Sequence, residues 1–561
     1  MNVALLLVLM RHYVFLVGVL IISSAFSYRA FAQFSNGQAA SIVIGQPNFT
    51  SNSAVAGANG MNWGEGIAID AVNNKMYVVD RANHRVLRFA FPITTIQPNC
   101  EVVFGQTNTT NNLPNAGGSV GAVGMNNPTG VAVNQSNGDL FVVENGNHRI
   151  LRFAAAHSVL NGSHGPSAAS VIGQPNFTTA VPGTSQNTLN FPHAVIITPG
   201  FNNMWIVDQG NHRVLRVPNA SIATTQPNYD YCIGQTAWTN NTTGNGANQL
   251  NSPAGVCVNA AATLLFIADG GNNRVLRFTT PPATVFNASA DAVLGQTGFN
   301  LSASGNGAAQ MSTVRDVAMD ASGTLYVSDL GNNRVLGFAN ATSLTNGASA
   351  SFVLGQAGFG TSSSGLSSIQ MNGPRGLAVN GSRLFVSEQT NNRVLQFSSS
   401  NAPWLYMGTL ASSNVMRTRT DGMDLVTNLL ATTNPPRGAQ GELSSGYIVW
   451  PNPASNSIGR ANLDGTGVNN SFITGLSNPY SPILAGGYIY WLNRGTNSIG
   501  RALWNGTGVN TNFITGCVLP ENMVVDAVNG YIYWTNYGSN AIGRANIDGT
   551  GVNQSLATTL A

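Results

Sequence analysis

One motif returns six times in this chain, and that repetition limits the possible folds more than any other feature. An apolar strand ends in an acid, a short loop follows, and Asn-His or Asn-Asn leads into an arginine and a second apolar strand. The acid–arginine pairs are Asp80 and Arg85, Glu144 and Arg149, Asp208 and Arg213, Asp269 and Arg274, Asp329 and Arg334, and Glu388 and Arg393. The acid stands five positions before the arginine each time, and successive arginines are 64, 64, 61, 60 and 59 residues apart. Each unit also has an upstream strand, such as Gly66-Ile-Ala-Ile-Asp70 or Gly130-Val-Ala-Val-Asn134, and a strand that ends in Gly-Gln. The Gly-Gln pairs fall at Gly45, Gly105, Gly173, Gly234, Gly295 and Gly355. Four short strands per unit, six times over, predict an all-β chain folded as a six-bladed β-propeller, where ring closure leaves only short edges.

The order of the pieces predicts how the ring closes. The first Gly-Gln strand, Ser41–Gly45, precedes the first complete unit, and the sixth unit stops at Phe397 without one. The N-terminal strand is therefore expected to complete the last blade. These residues closely resemble the NHL repeat family over positions 38–398, with His replaced by Asn in the last three units. The repeats exceed that family's usual length through loops such as Gln46 to Glu65.

Beyond a Ser/Asn/Pro linker at 399–403 the pattern changes. Tyr-Ile-Val-Trp450, Tyr-Ile-Tyr-Trp491 and Tyr-Ile-Tyr-Trp534 each precede an Ile-Gly-Arg by ten residues, ending at Arg460, Arg501 and Arg544. Asx-Gly-Thr turns follow, and a degenerate copy comes first, from Trp404 to Arg417. Residues 404–561 resemble the YWTD repeats of the lipoprotein-receptor class B family, with Asn452, Asn493 and Asn536 in place of that motif's aspartate. Those propellers have six blades, so an incomplete array of about four repeats is expected here, from a truncated chain or an incomplete gene model.

Residues 13–27 form an apolar run behind Arg11 and His12, and Ala30-Phe31-Ala32 supplies a small-residue cleavage site. The expected organisation is a signal peptide at 1–32, the NHL-type propeller at 33–398, the linker at 399–403 and the YWTD-like array at 404–561. The run is short for a membrane span, so a secreted or cell-surface protein starting at Gln33 is expected, with initiation at Met10 as a further expectation. Charged residues make up 8% of the chain, against about 25% in ordinary soluble domains. The formal charge of +3, falling to +1 without residues 1–32, gives no polybasic surface and argues against nucleic-acid binding. Cys100, Cys232, Cys257 and Cys517 permit up to two bridges, which sequence alone cannot pair.

Six symmetric copies of an acid and an arginine read as structure, because they cannot all be an active site. The acid can accept backbone N–H groups and the arginine can bond an acid or carbonyls. The same applies to His84, His148 and His212, where a zinc site is not expected. Function is expected where the repeats differ, at the position just before the Gly-(Val/Ile/Leu)-Ala stretch. Across the six units that position reads Glu65, Thr129, His193, Ala254, Arg315 and Arg375, at the mouth of the propeller channel. Arg315 and Arg375 on neighbouring blades suit a carboxylate, phosphate or sulfate, with Asp316 able to neutralise Arg315. The bland alternative is that Glu65 and Arg375 simply pair across the mouth, leaving Arg315 solvated.

Enzyme motifs are nearly absent. Gly117-Gly-Ser119-Val-Gly121 satisfies G-x-S-x-G but has no helix behind it, so the nucleophile elbow is not expected. The NHL resemblance also implies secreted lyases and lactone or ester hydrolases with a metal at the mouth. Glu65, Asn127, His193 and Asn190 would be the available ligands, and one carboxylate is thin for calcium. A binding or interaction module for a protein or a small anionic or carbohydrate ligand is therefore expected, with no cofactor and no catalytic residue. The alternatives are a metal-assisted lyase or hydrolase, or an architectural surface protein.

Overall fold

The computed structural model describes residues 34–558, apart from 199, 201–202, 220–224, 281, 283, 400–403, 409–412, 420–425, 437, 443–445, 464 and 528. The signal-peptide reading at 1–32 lies outside the described residues. The chain divides into two compact units, with the boundary between Asn401 and Ala402. Every sheet is antiparallel, and the described residues form nine four-stranded sheets and one three-stranded sheet with only short 3-10 turns as helical structure.

Six of the four-stranded sheets make up the first unit. The first sheet runs Gly64–Asp70, Lys75–Asp80, Arg85–Ala90 and Val102–Phe104. The next four repeat that order, opening with Pro128–Asn134, Pro192–Ile197, Pro253–Val258 and Val314–Met319. The sixth takes Pro374–Asn380, Arg383–Glu388 and Arg393–Ser398 from the end of the unit and Ile42–Ile44 from its start. Ile42 pairs with Gln396 and Ile44 with Val394, as the order of the sequence pieces predicts. The opening strands neighbour one another in sequence, and the sixth returns to the first. The arrangement is that of a β-propeller.

Alternating side chains explain how the sheets stack. Successive residues of a strand point to opposite faces, so each sheet feeds two hydrophobic layers. Tyr77 and Val79 of the first sheet pack with Val131 and Leu140 of the second. Phe141 and Val143 of the second pack with Val195 and Ile206 of the third. The layers continue around, until Phe385 and Ala378 of the sixth sheet meet Ile67 and Val78 of the first. Each such side chain contributes about 1.5–3 kcal/mol on burial, and no layer is left open.

The repeat motif ties each hairpin to its loops. Arg85 Nε donates to Asp80 Oδ2 at 2.7 Å, Asn83 Nδ2 donates to the same oxygen at 2.8 Å, and the Asn62 amide donates to Oδ1 at 2.7 Å. The Arg85 guanidinium then donates to the carbonyls of Gly57, Gly60 and Thr109. The same pattern holds at Glu144–Arg149, Asp208–Arg213, Asp269–Arg274, Asp329–Arg334 and Glu388–Arg393, all fully buried. Burial pushes each acid's pKa up, against the pull of its arginine. A buried pair of this kind specifies one arrangement more than it adds stability.

The residue before each arginine has a second task. His84, His148, His212, Asn273, Asn333 and Asn392 all adopt left-handed backbone, with φ between 50° and 53°. Each accepts a backbone N–H from the following sheet. His84 Nδ1 takes the Asn127 amide at 3.0 Å, and His212 Nδ1 takes that of Ser252 at 3.0 Å. Asn392 Oδ1 takes that of Trp63 at 2.8 Å, closing the cycle. An imidazole Nδ1 and an amide Oδ1 can do the same job, which accounts for the exchange of His for Asn. Gly-Gln is equally local. Gln235 Nε2 donates to the His212 and Thr242 carbonyls. The glycine before it, Gly234, has φ of 97°, and a Cβ there would come within 2.8 Å of Leu250.

The second unit opens with the three-stranded sheet, Trp404–Gly408, Asn414–Arg419 and Val426–Ala431. Three four-stranded sheets follow, spanning Gln440–Ile473, Pro479–Ile514 and Pro520–Ala557. Trp450, Trp491 and Trp534 lie directly across from Gly459, Gly500 and Gly543. A Cβ on any of these glycines would sit 2.2 Å from the indole, so the spacing from Trp to Gly is a packing rule. All four cysteines are free.

Candidate functional site

The varying residues reach the channel because each opening strand is irregular at its start. Gly64 pairs with Asp80, yet the next regular pair is Ile67 with Val78, and the other five sheets slip at the same place. A bulge there turns a side chain out of the sheet. Glu65, Arg315 and Arg375 therefore converge, with His193 beside them.

Glu65 is the centre of the cluster. Arg375 Nη1 donates to its Oε1 at 2.9 Å and Trp63 Nε1 donates to its Oε2 at 2.9 Å. Arg81 Nη1 lies 3.6 Å from Oε2. Burial opposes ionisation of Glu65, but Arg375 and His193 outweigh it and hold the carboxyl at about 2. The Trp63 ring is flanked by two guanidiniums, Arg81 at 4.7 Å and Arg375 at 5.2 Å. Arg375 Nε also donates to Gln389 Oε1 at 2.7 Å. Arg375 is thus spent on its neighbours, and the pairing of Glu65 with Arg375 is the one weighed from sequence.

Arg315 differs. Its Nε is buried without a hydrogen-bond partner among the described residues. Asp316 does not neutralise it: Oδ1 accepts the Val317 amide at 2.9 Å and Oδ2 the Leu377 amide at 2.8 Å. The Asp316 side chain is directed at the neighbouring sheet, and burial pushes its pKa up to about 7. His193 is 8% exposed, and its Nδ1 lies 2.8 Å from the Ala254 carbonyl. That contact requires the proton on Nδ1. Burial pushes the His193 pKa down against the pull of Glu65, and its Nε2 lies 3.4 Å from Glu65 Oε1.

These groups line a cavity of about 250 Å³, walled by Trp63, Arg81, Asn145, His193, Gln209, Arg315 and Arg375. A second cavity, of about 500 Å³, runs along the opening strands past Ile67, Val131, Val256 and Leu377. Thr129 belongs to that deeper stretch and donates weakly to the Pro192 carbonyl at 3.4 Å. Ala254 contributes only its carbonyl. The four prospective metal ligands do not assemble, because Asn190 donates to Gly210 and Asn211 within its own sheet. Neither Asn127 nor Asn190 lines either cavity. No group of three or more His, Cys, Asp or Glu able to hold a metal occurs among the described residues.

Sequence reasoning missed Trp63, Arg81, Asn145 and Gln209. A signal was present, because the residue after each repeat acid also varies: Arg81, Asn145, Gln209, Gly270, Leu330 and Gln389. That position opens the 3-10 turn after the acid and faces the same mouth.

Among the described residues, no helix is long and apolar enough to cross a membrane. No curated protein matches the chain. Similar solved structures include a gluconolactonase from Xanthomonas campestris, 14% identical with a TM-score of 0.36, covering 60% of this chain and 86% of that one. A streptogramin B lyase is 10% identical with a TM-score of 0.29, covering 77% of this chain and 95% of that one. Residues 58–339 match the family model of the Teneurin NHL domain, and the six acid–arginine hairpins follow one plan throughout. The chain belongs to the Teneurin NHL domain family.

Proposed function

We propose that this is an exported protein whose six-bladed NHL propeller is a binding module, taking a small hydroxylated anion such as a sugar acid at the channel mouth. The organisation in this reading is a cleaved signal peptide at 1–32, the propeller at 33–398, a linker at 399–403 and a YWTD-like partial propeller at 404–561. Export rests on the apolar run and its Ala30-Phe31-Ala32 site, and a mature N-terminus other than Gln33 would contradict it.

The observation that carries the ligand reading is the charge balance of the cavity. Arg81, Arg315 and Arg375 face a single carboxylate, Glu65, leaving an uncompensated guanidinium at Arg315. Arg315 is half-buried with its Nε unpartnered among the described residues, and a bound anion would supply the charge-assisted hydrogen bond it lacks. Asn145 and Gln209 also line the cavity and carry amide oxygens able to accept a ligand hydroxyl. Trp63 lines the same cavity, with the guanidiniums of Arg81 and Arg375 over its ring.

A thermal-shift series on the full chain tests this, with glucuronate, gluconate, inorganic phosphate, sulfate and neutral glucose as probes. Acidic sugars are expected to stabilise, by about 2.7 kcal/mol at a hundredfold excess over Kd. Arg315→Ala is expected to abolish the effect, and glucose should give none. Calcium and zinc run alongside. Stabilisation by a metal that depends on Glu65 or His193 would replace this reading with a metal-assisted lyase or hydrolase.

A further inference from the structure

The loops around the cavity carry no charge. Residues 46–63, 106–127, 174–191, 235–252, 296–313 and 356–373 join the Gly-Gln strands to the sheets that follow, and they contain no Asp, Glu, Lys, Arg or His. Asn, Ser, Thr, Gln and Gly dominate them. Each repeat arginine ties two neighbouring loops together. Arg85 donates to carbonyls at Gly57 and Thr109, Arg149 to those at Gly121 and Phe177, and Arg393 to those at Ser367 and Phe49. The loops therefore form one ring. It lies at the mouth end, because Trp63 closes the first loop and lines the cavity, and the turns before the arginines supply Arg81, Asn145 and Gln209.

The other end of the sheets is different. Ion pairs stand there, Lys75 with Glu101, Arg152 with Asp139 and Arg216 with Asp230. The chain also enters and leaves the ring at that end, through Ser41 and Ser398. At the mouth, an uncharged rim surrounds a charged centre made of Glu65, Arg81, Arg315 and Arg375. Val55, Leu113 and Val181 are exposed on three successive loops of the rim, at 47%, 61% and 63%.

We propose that the mouth takes the terminal uronic acid of an otherwise neutral oligosaccharide, and that the following sugars lie on this rim. The proposal rests on the sugar-acid reading of the mouth and names what the acid is attached to. Amide and hydroxyl side chains supply both donors and acceptors, as sugar hydroxyls require. The exposed aliphatic side chains offer contact to the C–H faces of the rings. Charge decides where the acid sits. A carboxylate at the centre meets Arg315, whose Nε has no partner among the described residues. A carboxylate on the rim loses water and meets no cation. A single terminal acid therefore fits this surface, and a chain with an acid on every sugar does not.

Calorimetric titration of the full chain tests this, with glucuronate, glucuronosyl-xylotriose, trigalacturonate and xylotetraose as probes. Glucuronosyl-xylotriose is expected to bind at least about tenfold tighter than glucuronate, trigalacturonate no tighter than glucuronate, and xylotetraose not at all. Leu113→Ser/Val181→Ser should weaken glucuronosyl-xylotriose at least about threefold and leave glucuronate unchanged. Both side chains are exposed, and unchanged melting shows that the fold is kept. Glucuronate that binds as tightly as glucuronosyl-xylotriose overturns this proposal and leaves the mouth reading standing. Trigalacturonate as the tightest ligand overturns it too, as does a double variant that keeps the full gain. No binding by any acid overturns this proposal and the mouth reading together.

Discussion

Replacing His212 separates what the repeat needs at that position from what it tolerates. His212 sits at φ of 51°, and its Nδ1 accepts the Ser252 amide from the next sheet at 3.0 Å. Asn273, one sheet on, has the same backbone at φ of 52° and accepts the Thr313 amide through Oδ1 at 2.6 Å. His212→Asn should therefore change stability by less than about 0.5 kcal/mol. His212→Ala leaves a partly buried N–H without a partner, at about 1–3 kcal/mol. The expected loss is about 1–3 kcal/mol. Urea unfolding followed by tryptophan fluorescence measures both variants. A pH series adds a second arm. Burial holds His84, His148 and His212 below their ordinary value in the folded chain. The unfolded state then binds more protons as pH drops below about 6.5, and stability falls with it. The triple variant His84→Asn/His148→Asn/His212→Asn should lose less stability between pH 7 and pH 5 than the wild type. If His212→Asn costs as much as His212→Ala, or the triple variant shows the same acid sensitivity, the exchange of His for Asn has been explained wrongly.

Further outcomes follow from the same structure. Gly295→Ala should cost about 2 kcal/mol or more, because φ is 87° and a Cβ would lie 2.9 Å from Met311 and the Asn273 carbonyl. Gly298→Ala, with nothing within 4 Å, should be close to neutral in the same denaturation assay. Asp269→Asn leaves Arg274 buried without its counter-charge, and chemical unfolding should show a loss of about 3–5 kcal/mol. Asp316, held at about 7, is more protonated in the folded chain than in the unfolded one. Its contribution therefore falls as pH rises from about 4 to 7. Stability of Asp316→Asn relative to wild type should improve over that range and level off above it.

The fold was legible because propeller repeats write their rules locally. The acid–arginine spacing and the early Gly-Gln strand predict hairpins and the N-terminal strand that completes the sixth sheet, and Ile42–Ile44 does pair with Val394–Gln396. What each residue does was less legible. That a histidine ring could hand its acceptor role to asparagine appears only when the following sheet's amide is in place. The recurring Asn-x-Thr after Gly-Gln also has a local cause, since Asn48, Asn108 and Asn176 each accept the amide of the Thr two residues on. The candidate site was half visible. Glu65, His193, Arg315 and Arg375 lie in one cluster. Asp316 points away because Leu377 on the next sheet offers it an amide, a contact some 60 residues distant in sequence. Trp63 and Arg81 were missed because a single varying position per repeat was read, whereas two different loops reach the mouth.

The most direct test of the central claim is calorimetric titration of glucuronate into the full chain and into Arg315→Gln. One saturable site in the wild type, weakened at least about tenfold in the variant with its melting unchanged, is the expected result. Identical heats from the two proteins, or no saturable binding in the wild type, would show that the guanidinium at the mouth does not serve this ligand.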